Sequence, residues 1–220
     1  TFDSQNLAFY DNREKVYRCY NRYFLRGGYS GLRAIQSCTS PDFLTWTGQT
    51  PNRYEPPQEE HYYTNATIPC PGAEHLYLSF PKRFVPERKK VPEHTENGLS
   101  DAVFLTSRDG QNWDRTFREA WIRPGYDRRN WTDRNIMPAL GTVELDGEHS
   151  FYITEHYCWD DMRIRRVALR RHGFASLHAG SATGTALTRP FVFEGDVLRL
   201  NLSTSAAGGL RAALSDEAEK

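Results

Sequence analysis

The chain has no run of about 18 apolar residues, so no segment of it reads as a membrane-spanning helix. It also lacks an excess of charge, with 28 Lys and Arg against 28 Asp and Glu in 220 residues. That balance excludes the broad basic surface that nucleic acid or an anionic membrane would need, and neither is expected as a partner. The arginine cluster Arg163, Arg165, Arg166, Arg170 and Arg171 therefore reads as a solvated strand face. Cysteine is sparse, and Cys19, Cys38, Cys70 and Cys158 form no CxxC pair, which argues against zinc or a thioredoxin-type site. These thiols read as buried strand residues, with a Cys19–Cys38 bridge between neighbouring strands left open. The histidines are dispersed without ligand spacing, so no metal and no organic cofactor is called for.

What the chain does have is aromatic side chains, 13% of its residues. They favour β-structure and also suit stacking against sugar rings. Asn65-Ala66-Thr67, Asn130-Trp131-Thr132 and Asn201-Leu202-Ser203 match the glycosylation acceptor pattern, which matters only in a eukaryotic secretory setting. A secreted or periplasmic location is slightly favoured over a cytoplasmic one.

An internal repeat organises the sequence. Thr39-Ser40-Pro41-Asp42-Phe43-Leu44-Thr45-Trp46 returns 67 residues later as Thr106-Ser107-Arg108-Asp109-Gly110-Gln111-Asn112-Trp113. A worn third copy lies at Leu169 to Phe174. Each copy is preceded by a short strand, an Asp/Gly/Asn turn and a longer alternating strand. These pairs fall at Leu7–Tyr10 and Val16–Tyr23, at Thr67–Cys70 and Leu76–Phe80, and at Ala139–Val143 and Ser150–Thr154. A further strand before each box and a short one around its Trp complete four antiparallel strands per unit, as a β-propeller blade requires. The box has a physical role there: Ser and Asp tie the outer turn, and Trp fills the gap between blades.

The expected fold is thus all-β, a β-propeller over residues 1–188 with blades at about 1–50, 61–120 and 130–188. Three blades cannot close a ring, so further blades of the same polypeptide are expected as its missing partner. Phe191–Phe193 and Val197–Leu202 alternate cleanly, and residues 189–220 read as the start of a truncated C-terminal β-sandwich. The Pro-rich stretches Pro51 to Glu60 and Val85 to Gly98 read as insertions.

In a blade, residues just before the innermost strand, just after its partner and at the start of the third strand meet at one rim. That rule gathers Asp3, Gln5, Asn6, Arg22, Tyr23, His61, Tyr63, Asn65, Lys82, Arg83 and Asp101 on one mouth. From the third unit it adds Arg129, Asn130, Trp131, Asp133, Arg134, Asn135, Glu155, His156 and Tyr157. Carboxylates around a concave mouth suit glycoside hydrolysis, one as acid and another as base or nucleophile.

The two boxes, the Asp3-Ser4-Gln5-Asn6 approach to an inner strand and the appended sandwich resemble the five-bladed propeller glycoside hydrolases. Families 32 and 43, the fructosidases, arabinanases and xylosidases, are their best-known members. The chain is also similar to bacterial proteins known only as hydrolase-like. The resemblance implies an oligo- or polysaccharide substrate and three carboxylates. Asp3 would be base or nucleophile, Glu155 the general acid, and Asp101 a tuner of pKa or substrate position. Lys82, Arg83 and Arg134 would bind ring hydroxyls or a uronate carboxylate, and Trp131 and Tyr63 would stack on sugar faces. Asn6, Arg22, Asn65, Asn135 and His156 complete the expected substrate contacts. Some relatives hold a channel Ca2+, which no residue here specifically demands. The chain departs from the pattern in having Asn65 where a second-blade Asp is expected, and in lacking the R-D-P and E-C motifs of family 32. That departure favours the alternative, a glycan-binding or scaffold propeller without catalysis.

Overall fold

A computed structural model describes residues 3–26 and 28–216. Thr1, Phe2, Gly27 and residues 217–220 lie outside the described residues, and with them the first two positions of the approach to the first strand. The chain is all-β and falls into two compact units, one ending at Ala168 and the other beginning at Leu169.

The first sheet has the four antiparallel strands expected of the first unit. β1 (Leu7–Asp11), β2 (Val16–Leu25), β3 (Leu32–Ser40) and β4 (Thr50–Pro51) pair antiparallel in that order. The β1–β2 turn forms because Asp11 Oδ1 accepts the backbone N–H groups of Arg13 and Glu14 at 3.1 and 3.0 Å. The fourth strand comes later than expected: Trp46 stays in the turn, and pairing resumes only at Thr50.

The stretch Pro51 to Glu60 is not a plain insertion. β5 (Arg53–Glu55) runs parallel to the last strand of the second sheet and so joins the two sheets. That sheet holds β7 (Ile68–Cys70), β8 (Ala73–Ser79), β11 (Leu105–Ser107) and β12 (Asn112–Asp114), in the order β5-β12-β11-β8-β7. Its strands bend at Phe80-Pro81 and Val103-Phe104 into a smaller sheet nearer the rim. There β9 (Lys82–Val85) sits between β10 (Leu99–Ala102) and β6 (His61–Tyr62). Proline breaks the ladder at that bend because it has no N–H to donate.

The third sheet has three strands: β13 (Val143–Leu145), β14 (Glu148–Glu155) and β15 (Arg163–Arg170). Its inner strand starts later than expected, at Val143; ahead of it Ala139 donates its backbone N–H to the Tyr152 carbonyl at 2.8 Å and Pro138 forms an isolated bridge with Ile153. No fourth strand follows the worn box. Beyond Arg170 no described residue is in a strand, so the strands expected at Phe191–Phe193 and Val197–Leu202 do not form here. Their apolar side chains are exposed. Alternation alone does not make a strand; a partner ladder and a face to bury are needed as well.

Aromatic packing joins the sheets. Tyr20, Ile35, Tyr62, Tyr77, Leu105 and Trp113 form one buried core between the first and second sheets. Between the second and third, Phe80 packs on Trp121 (4.6 Å between ring centroids) and Phe151 (5.0 Å). Each fully buried aromatic is worth about 1.5–3 kcal/mol of transfer free energy. The second T-S box locks onto the first blade: Tyr20 donates its hydroxyl to the Gly110 carbonyl at 2.8 Å. Gly110 has φ +74°, and a Cβ there would lie 2.6 Å from the Tyr20 oxygen, so both backbone and space require glycine. Trp113 fills the gap between sheets as expected. Trp46 does not; it packs on Phe43 of its own turn at 5.4 Å and remains half-exposed.

Candidate functional site

The approaches to all three inner strands meet at Gln5. Its Oε1 accepts the backbone N–H groups of Asn65 (3.1 Å) and Ala66 (2.6 Å), and its Nε2 donates to the Pro138 carbonyl (3.3 Å). Asn65 Nδ2 in turn donates to the Gln5 carbonyl at 3.1 Å. Asn65 is fully buried and is a strut of this junction rather than a surface contact. Neighbouring Asn6 is exposed and donates to the Ser4 carbonyl at 2.7 Å. Ser4 donates to the Tyr63 carbonyl at 2.8 Å, which brings the first and second approaches together beside Asp3.

Tyr63 is the centre of a cationic cluster. Lys82 Nζ lies 3.8 Å from its ring centroid, the Arg22 guanidinium 4.6 Å and the Arg33 guanidinium 5.0 Å. Phe84 and Phe24 complete the aromatic walls, at 5.1 and 5.5 Å from Arg33. Such contacts stabilise a cation most where water is excluded. Two carboxylates answer this charge. Arg22 is ion-paired to Asp3, whose side chain is 55% exposed. Lys82 is buried and bonded to Asp133 at 2.7 Å. Burial pulls the Lys82 ammonium down to about 8, against the opposing pull of Asp133. Burial also holds the Arg33 guanidinium below its ordinary value; Arg22 adds to the effect, while Tyr63, Asp133 and Asp3 act the other way. His61 beside it is pushed down by burial and by the charge of Arg33, so its imidazole is neutral at pH 7.

Asp101 does not join this cluster. Consecutive residues of β9 point to opposite faces, Lys82 toward Tyr63 and Arg83 away. Asp101 stands opposite Arg83 in the register and shares its face. Arg83 grips it with two bonds of 2.9 and 2.7 Å and takes Glu60 as well, at 2.8 Å. Asp101 and Arg83 instead line a cavity of about 590 Å³ with Arg88, Arg123, Tyr126 and Trp131. Trp131, expected as a stacking platform, is on that cavity, its indole N–H bonded to the Gly125 carbonyl at 2.8 Å.

Glu155 belongs to a third group. Arg163 and Arg165, two apart on one face of β15, each reach it at 2.8 Å, and Asn130 donates to it at 3.2 Å. Burial alone would raise its pKa, but the bonds and charges of Arg165 and Arg163 outweigh that and leave the carboxyl below the usual range. A general acid needs the opposite displacement. His156 is buried with both ring nitrogens at 2.9 Å from carboxylates, Asp161 and Asp127, and Asn135 is a buried strut bonded to Thr132 and to the Tyr157 backbone. Arg134 is bonded to the Tyr157 hydroxyl and remains 39% exposed. Among the described residues neither Asp101 nor Glu155 is ion-paired or hydrogen-bonded to a member of the Tyr63 cluster.

Two residues stand out that the sequence did not single out for chemistry. Asp133 leads the third approach in Asp133-Arg134-Asn135 as Asp3 leads the first in Asp3-Ser4-Gln5-Asn6, and that correspondence is the signal that could have found it. Arg33 stands at the start of the third strand of its unit, which the same rule puts at the rim, and that position is the signal that could have found it. No group of three His, Cys, Asp or Glu side chains among the described residues is placed to hold a metal. No helix of the described residues is long and apolar enough to cross a membrane.

No family model matches the chain, and no curated protein matches it. Solved structures do resemble it. A glycoside hydrolase superposes with a TM-score of 0.52 at 13% identity, over 77% of this chain and 47% of that one. A GH32 β-fructofuranosidase of Bombyx mori gives a TM-score of 0.52 at 9% identity, over 76% and 32%. An N-acetylgalactosamine deacetylase from F. plautii, solved with blood group B trisaccharide, gives 0.44 at 13% identity over 69% and 40%. The chain spans less than half the length of each of these structures. At these identities the likeness is one of fold: the all-β fold of propeller-type glycoside hydrolases.

Proposed function

We propose that the chain handles glycans at the mouth around Tyr63 and takes part in glycosidic bond hydrolysis there. The observation that supports this best is that Asp3 and Asp133, from corresponding places ahead of two inner strands, each pair with a cation held over the Tyr63 ring, Arg22 and Lys82. Half-exposed Asp3 is the carboxylate open to a substrate and acts as base or nucleophile. Buried Asp133 is a positioning residue that fixes Lys82 beside the Tyr63 ring. Tyr63 presents the stacking surface for a sugar. The fold likeness to glycoside hydrolases adds support, and an extracytoplasmic setting accords with a polysaccharide substrate.

A second reading, glycan binding without cleavage, is favoured by one observation: the arginine clamp on Glu155 shifts it away from what a proton donor needs. Reducing-sugar release from a panel of oligosaccharides separates the two. Hydrolysis by the wild type that falls by about 100-fold or more in Asp3→Asn supports the first reading. Binding by calorimetry with no release by the wild type supports the second.

A further inference from the structure

The cations at the mouth outnumber their carboxylates. Asp3 answers Arg22 and Asp133 answers Lys82, while Arg33 has no ion pair among the described residues. Two guanidinium nitrogens, Arg22 Nη1 and Arg33 Nε, are buried without a hydrogen-bond partner. The Arg22 side chain is only 4% exposed, so water does not compensate the loss. Both guanidinium groups lie over the Tyr63 ring, 4.6 and 5.0 Å from its centre, and the charge of Arg22 raises the cost of charging Arg33. His61, which touches Arg33 with Nδ1 3.5 Å from Arg33 Nη1, is driven toward its neutral form and adds no compensating charge.

A neutral sugar would leave this excess uncompensated. We propose that the mouth takes a glycan bearing a carboxylate, a uronic acid residue. Its oxyanion lies against the half-buried Arg33 guanidinium, and its ring lies on Tyr63. A carboxylate offsets the unpaired charge of Arg33, and the guanidinium fork matches its planar shape. The inference rests on the mouth being a glycan site and goes beyond it in assigning the sugar's charge.

The test is calorimetric titration of the protein with a galacturonic acid trisaccharide, its neutral galactose counterpart, a sulfated disaccharide and inorganic sulfate. The uronate is expected to bind about tenfold or more tighter than the neutral sugar, a preference that weakens with added salt. In Arg33→Gln that preference is expected to fall to within about twofold, the loss of one charge-assisted contact. Arg33→Lys keeps the charge and loses the fork, and is expected to retain part of the preference. Thermal melting of both variants confirms that they are folded; if Arg33→Gln is not, Arg33→Lys decides. Equal binding of acidic and neutral sugars, or a preference untouched in the variants, overturns the assignment. So does sulfate, free or sugar-borne, binding as tightly as the uronate. Binding of the neutral sugar alone overturns this inference and leaves the glycan site standing, whereas no binding of any sugar overturns both.

Discussion

Lys82 places its ammonium 2.7 Å from Asp133 and 3.8 Å from the centre of the Tyr63 ring, with the lysine side chain wholly buried. A buried ion pair contributes little net stability, but losing one partner leaves a charge without compensation. Asp133→Asn is therefore expected to destabilise the protein by about 3–5 kcal/mol in denaturant titration, and Lys82→Met/Asp133→Leu to recover most of that loss.

The same pair sets a pH dependence. Lys82 titrates near 8 in the folded chain against an ordinary 10.5. Between those values the unfolded chain binds more protons, so stability rises with pH across that window. Below about 8 the ammonium is charged in both states and its contribution is constant. The rise is expected in chemical denaturation between pH 8 and 10 and is expected to vanish in Lys82→Met. A wild-type profile that falls across that range would contradict the assignment.

The T-S boxes are held by their aspartates. Asp109 Oδ1 accepts the backbone N–H groups of Gln111 (2.8 Å) and Asn112 (2.7 Å), and Asp42 Oδ1 does the same for Leu44 (2.8 Å) and Thr45 (2.7 Å). Asp109 is drawn down to about 2 because bonds from Asn112, Gln111 and Ser107 outweigh its burial. Asp42 is drawn to about 2 chiefly by the bonds from Thr45 and Leu44. A depressed carboxyl stabilises the fold above its unfolded pKa, and the benefit is lost as pH falls from about 4 to 2. Asp109→Ala is expected to cost about 1 kcal/mol at pH 7 and to flatten acid unfolding in that window.

Thiol reactivity follows burial. Cys19 and Cys38 face each other across β2 and β3 as free thiols, and burial followed by the influence of Cys19 pushes the Cys38 thiol up to about 11. Cys158 is exposed. Alkylation at pH 7.5 followed by peptide mass analysis is expected to label Cys158 first and Cys38 last.

Glu155 is a clamp in this structure. Glu155→Gln is expected to lower stability by about 1–2 kcal/mol through its bonds to Arg163 and Arg165, with glycan binding at Tyr63 unchanged. Loss of hydrolysis with stability intact would return it to the role of proton donor.

Much of the fold was legible in the sequence because the two T-S boxes carry their turn chemistry within eight residues. Asp42 and Asp109 need only neighbouring N–H groups to act. The tail was not legible: alternation at Val197–Leu202 suggested a strand where the structure has none, because it specifies a face to bury but not the partner that would bury it. Of the residues gathered by the rim rule, the structure brings Asp3, Arg22, Tyr63 and Lys82 together. The rule misplaced Asp101 because it located residues along the strand and ignored that Lys82 and Arg83 point to opposite faces. Glu155 was misread for a related reason: its partners, Arg163 and Arg165, approach from the next strand and looked like a solvated face. Asp133 was placed on the mouth by the same rule but given no role, because nothing in the sequence shows that it pairs with Lys82 from the second unit.

The most direct test of the central claim is oligosaccharide hydrolysis by the wild type and by Asp3→Asn, with binding followed by calorimetry on the same samples. The expected result is cleavage by the wild type, loss of about 100-fold or more in Asp3→Asn, and glycan binding retained in both. Cleavage that survives Asp3→Asn, or a wild type that neither binds nor cleaves any oligosaccharide, would contradict the assignment of the Tyr63 mouth.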